Sequence, residues 1–158
     1  MKMASSLEET FLEACKTGDI EIVRVALDHN VDVNVQAGWG LRRAVRYNQP
    51  EVWQYLLGHR NIQANLRNRH GLSALHTACR FNVPGAIFDL LKHQDIVVNE
   101  KSSQGSSPIM VAVKYCRREA LEVIIRYRIP SSYSRSANRI NHVVAFFLSL
   151  SYLSKNVT

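Results

Sequence analysis

With 158 residues, 46% of them hydrophobic and 21% charged, the chain has the makeup of one folded domain. Three cysteines, without a Cys-x-x-Cys pair, argue against a disulfide framework or a zinc cluster, and no secretory apolar stretch follows Met1-Lys2. The net charge of +7 is uneven: residues 1–40 hold three basic and seven acidic side chains, whereas residues 41–158 hold 17 basic and six acidic ones, a body that attracts acidic partners at low salt.

Taken in chain order, apolar periodicity and helix punctuation predict helices at about 8–16, 20–29, 41–48, 50–58, 74–81, 84–92, 108–115 and 118–126. They come in pairs, and the pairs repeat. Ala44, Ala78 and Ala112 follow one another at 34-residue steps, with Ala14 a further 30 residues upstream. Twelve and thirteen residues after each Ala stands an apolar pair: Ala26-Leu27, Leu56-Leu57, Leu90-Leu91 and Ile124-Ile125. A fixed period of this length marks stacked units, each too small to bury its own apolar face. Ser73 can cap a helix, Pro108 suits a first helical turn, and Gly71 and Gly105 fall where a turn tolerates positive φ. Asn48, Asn82 and Cys116 stand where a turn between helices favours the left-handed region, which Asn adopts more readily than Cys.

The stretch Gly71-Leu-Ser-Ala-Leu-His-Thr-Ala-Cys79, its degraded copy Gly105–Val113, the apolar pairs and the closing Asn34, Asn65 and Asn99 together resemble the ankyrin repeat. The resemblance covers about residues 7–127, in units of about 7–34, 35–65, 66–99 and 100–127. It implies an all-α solenoid of stacked helix-turn-helix units with β-hairpin-like turns, and a non-catalytic module that binds a protein partner in its concave groove. It also implies that His76 bonds turn backbone, and that Asn34, in its Asp-Val-Asn context, is a candidate for hydroxylation. The second unit departs most, with Trp39-Gly40-Leu41-Arg42 where Thr-Pro-Leu-His would be, and the first hairpin is short.

Two residues after each motif Ala sits a cation: Lys16, Arg46, Arg80 and Lys114. Tyr47, Phe81 and Tyr115 follow in the last three units. The resemblance places both positions at the end of the inner helix, where units stack roughly 10 Å apart. Arg and Tyr are enriched at binding hot spots, so a ladder of cations beside a ladder of rings suits an acidic segment with apolar anchors. The plainer alternative is that the rings pack between units while the cations solvate helix ends and complement their dipoles. Arg67, Arg69 and His70 would enlarge the basic area. Arg42-Arg43 and Arg117-Arg118, like Glu8, Glu9 and Glu13, read as solvated helix faces, and Cys15 and Cys79 as small core residues.

No metal site, phosphate loop or cofactor motif assembles: His70 and His76 lack metal-binding spacing, and Ser73 with His76 lacks a carboxylate to orient the imidazole. After Tyr127 the repeat stops, and residues 128–158 form a Ser-rich and apolar tail. The run from His142 to Leu153 is too short for a membrane span, so it either folds back as a cap or is an incidental end, the second being favoured. The expectation is a cytosolic or nuclear binding module. Its alternatives are the recognition part of a larger enzyme or ubiquitin-ligase complex, or a nucleic-acid-binding repeat.

Overall fold

The computed structural model describes residues 2–128 and Val144. Among these the chain forms helices only: α1 Lys2–Thr17, α2 Ile20–Asp28, α3 Val35–Arg46, α4 Pro50–Leu57, α5 Ala74–Phe81, α6 Pro84–Lys92, α7 Pro108–Lys114 and α8 Arg118–Arg128. Each odd-numbered helix pairs with the even one after it. The inner helices stack as α1 on α3, α3 on α5 and α5 on α7, and the outer ones as α2 on α4, α4 on α6 and α6 on α8. The result is a solenoid in which each pair covers its neighbour.

The residues that define the period account for this packing. Ala14, Ala44, Ala78 and Ala112 are all buried and lack bulk, which lets the inner helices approach their neighbours closely. Leu56, Leu90, Leu91, Ile124 and Ala26 are buried on the outer helices, and Cys15 and Cys79 are buried within the same core. Burial pushes the Cys15 thiol up to about 12, so it behaves as a small apolar group rather than a nucleophile. Val144, beyond α8, is buried in this core as well, which places that one residue on the side of the fold-back alternative. The rest of the tail expected to cap or trail the stack lies outside the described residues.

Local signals set the ends of the helices. Ser73 accepts from the His76 amide while His76 Nδ1 accepts from the Ser73 amide, a reciprocal cap at the start of α5. Ser107 caps α7 from the corresponding position, and Pro108 is its first residue. Between paired helices, Gly18, Asn48, Asn82 and Cys116 all have positive φ, at 89°, 56°, 58° and 53°. For Cys116 that conformation costs about 1–2 kcal/mol relative to glycine.

The hairpins between units are held from one unit to the next. The Asn68 amide donates to the Leu72 carbonyl, and the Ser102 amide to the Ser106 carbonyl, closing two equivalent turns. Asn34 donates from Nδ2 to the Asn61 carbonyl at 2.8 Å and accepts from the Gln63 amide at 2.9 Å. Asn65 repeats this one unit later with the Asp95 carbonyl and the Val97 amide. Replacing Asn65 with Ala removes both bonds and leaves two backbone groups to find water, so a loss of about 1–3 kcal/mol is expected in urea unfolding.

The first hairpin differs, for a countable reason. Ala14 and Ala44 are 30 residues apart against 34 for the other steps, so four residues are missing. In place of a hairpin, Gln36, Ala37 and Gly38 run through a left-handed turn at φ 50°, 56° and 73°, and the right-handed helix proper starts at Trp39. The expected start at residue 41 did not include this turn, and α1 also begins earlier than residue 8.

Candidate partner-binding groove

The ends of the inner helices carry an alternating row of cations and rings. Lys16 Nζ lies 5.8 Å from the Tyr47 centroid and the Arg46 guanidinium 5.5 Å from the same ring. Arg46 and Arg80 flank Phe81 at 5.0 and 5.7 Å, and Arg80 and Lys114 flank Tyr115 at 5.1 and 6.0 Å. Each ring therefore takes one cation from its own unit and one from the unit before. Part of the packing alternative holds here, since these contacts couple adjacent units. The rings nevertheless remain open to solvent, with Tyr47, Phe81 and Tyr115 at 42%, 38% and 37% exposure.

Arg46, Arg80 and Lys114 line one groove of about 210 Å³ with Phe81 and Tyr115, and hairpin residues such as Leu72 and Gln104 complete it. Trp39, Arg42 and His76 also reach its surface, and no Asp or Glu is among its lining residues. Among the described residues, no carboxylate stands within ion-pair distance of Arg46, Arg80 or Lys114. Positive charge gathered in a cleft with no compensating anion focuses the field there.

Other expected site residues lie elsewhere. Lys16 and Tyr47 form the first step of the row but do not line the groove, and Lys16 is tied to Glu13 at 2.6 Å. Glu13 is thus no idle member of a solvated face: it also meets Arg43 at 3.3 Å, and the hydrogen bond from Lys16 chiefly holds its carboxyl below the usual range. Arg69 and His70 sit at an exposed hairpin tip outside the groove, Arg69 Nε donating to His70 Nε2 at 3.2 Å. Arg67 pairs with Glu100 at 3.4 Å, so its charge is spent within the stack instead of enlarging the basic area. Asn34 has its amide engaged by the next hairpin, and an oxygenase would gain an extended chain there only after that hairpin opened.

The expectation of a solvated Arg42 is wrong. Arg42 is 3% exposed; its guanidinium donates to the Ala37 carbonyl and, at 3.3 and 3.4 Å, to those of Leu66 and Gln36. It occupies the motif His position and does the same work: His76 Nε2 bonds the Ser106 carbonyl of the next unit at 3.0 Å. The longer side chain reaches both the left-handed turn before it and the next hairpin. Trp39 lies within 5.6 Å of both the Arg42 and Arg43 guanidinium groups, which makes it part of the groove wall.

Ser73 Oγ and His76 Nδ1 are 2.9 Å apart, close enough to suggest a dyad. Both are buried and the far ring nitrogen is held by a carbonyl, so the pair is a staple between units. Burial holds the His76 pKa below the ordinary 6.5. A depressed imidazole contributes stability in full above the unfolded value and loses it as pH falls through the folded one. Urea stability is therefore expected to drop between pH 7.5 and 5.5, and the drop is expected to shrink in a His76→Gln variant.

These features define a repeat solenoid whose stacked helix pairs present an open groove along their inner helices. The chain matches the family model for ankyrin repeats (3 copies) over residues 41–133, and it belongs to the ankyrin-repeat family. Ankyrin repeats are in general protein-interaction modules and are typically not catalytic. The first helix pair, before residue 41, continues the same stack. No curated protein matches the chain. Among the described residues, no helix is long and apolar enough to cross a membrane.

Proposed function

We propose that the chain captures an extended acidic segment of a partner protein in the groove along α3, α5 and α7. The observation that carries this reading is the row Arg46, Arg80 and Lys114, which lines a groove without Asp or Glu and, among the described residues, has no ion-pair partner. Three cations gathered in one cleft without a carboxylate beside them favour an external anion there. Phe81 and Tyr115 add exposed apolar area beside them for anchor residues.

Selection from a phage library of short random peptides tests the reading. Enrichment of Asp and Glu interspersed with apolar residues is expected, with affinity falling as salt rises. Enrichment of neutral or basic peptides counts against it.

A further inference from the structure

We infer that the groove reads its acidic segment in a fixed register, one carboxylate every third residue along a polyproline-II chain. The inference rests on the groove's being the binding face and extends it to the sequence and conformation of the occupant. Arg46 and Arg80 share the Phe81 ring at 5.0 and 5.7 Å, and Arg80 and Lys114 share Tyr115 at 5.1 and 6.0 Å. Two cations over one ring are at most roughly 11 Å apart, and equivalent residues on neighbouring helices are spaced by the helix packing distance of about 8–10 Å.

The step selects a backbone. A polyproline-II chain rises about 3.1 Å per residue with three residues per turn, so positions i and i+3 lie about 9 Å apart on the same side. A β-strand returns to one face only every second residue, at roughly 7 or 13 Å, which is too short or too long. An α-helix returns to one face at about 5–6 Å and next at about 10.5 Å, below and above the step of about 8–10 Å. The cations are also held in place. Arg46 and Arg80 each lie against two rings, and the Arg80 carbonyl accepts from Arg117 Nε at 2.9 Å, which fixes the end of α5. The occupant thus has an acid-x-x-acid-x-x-acid pattern, with Pro favoured between the acids because it pre-orders the polyproline-II form.

Fluorescence anisotropy with two labelled peptides of equal composition, one with Glu at its first, fourth and seventh positions and Pro between them, the other with Glu at every second position, tests the register. The period-three peptide is expected to bind about tenfold more tightly. Changing its central Glu to Lys should abolish that advantage against the wild-type protein and restore it against Arg80→Glu. Equal binding of both spacings, each lost in the triple variant R46E/R80E/K114E, overturns the register while leaving the acidic-groove reading intact. Failure of the wild-type protein to bind either peptide, or tighter binding of oligothymidylate than of both, overturns the register and that reading together.

Discussion

Replacing Arg42 with Ala is expected to lower unfolding stability by about 3–5 kcal/mol, among the largest effects of any single change outside the apolar core. Three carbonyls, those of Gln36, Ala37 and Leu66, lose a buried donor at once. The side chain is 3% exposed, so its removal also leaves a cavity. The left-handed turn it holds is unfavourable for Gln36 and Ala37 by about 1–2 kcal/mol each, and without the guanidinium little compensates that cost. Repeat stacks unfold locally where an interface is weakened, so the urea transition should broaden, with α1 and α2 lost first. Lys at this position should rescue poorly, because an ammonium lacks the planar fork that spans the left-handed turn and the next hairpin. His should recover part of the loss by bonding Leu66 as His76 bonds Ser106.

Reversing all three groove cations, in R46E/R80E/K114E, is expected to weaken binding of a selected acidic peptide by about 100-fold or more. Each exposed pair is worth up to about 1 kcal/mol, each reversal adds repulsion, and three sites act together. The stack should survive. The substituted residues are exposed, and the lost ring contacts cost about 0.5–1 kcal/mol each at such sites. A control on the opposite side separates binding from this loss. Arg24 lies 5.4 Å from the Tyr55 centroid and Lys92 3.9 Å from that of Phe88, both on outer helices. The variant R24E/K92E loses two ring contacts against five in the groove variant and should keep peptide affinity, apart from the general effect of lower net charge. Equal weakening in both variants would show that net charge, not the groove, governs capture.

Much of the fold is legible because its period is local. The small Ala at each inner helix and the apolar pair twelve residues on repeat at nearly fixed spacing, as do the Ser73 and Ser107 caps in the last two units, and each has one physical role wherever it occurs. The row of cations and rings is visible for the same reason, since equivalent positions on stacked helices become neighbours in space. What depends on the next unit is harder to read. Arg42 resembles a surface charge until the Leu66 carbonyl is placed beside it, and Glu13 resembles a solvated acid until Arg43 arrives from α3. Two signals were present for Arg42: it stands at the motif His position, and the four residues missing before it leave a turn that needs a long donor. The places of Arg67, Arg69 and His70 depend on the hairpin geometry and not on their charge alone. Glu100 neutralises the first, and the other two sit at the hairpin tip.

The most direct test of a groove-directed binding face is backbone amide chemical-shift mapping of the 15N-labelled chain, titrated with a selected acidic peptide. Saturable shifts are predicted to cluster at Arg46-Tyr47, Arg80-Phe81 and Lys114-Tyr115, with smaller ones at Trp39 and Leu72. Shifts concentrated on α2, α4 and α6 instead would contradict the account.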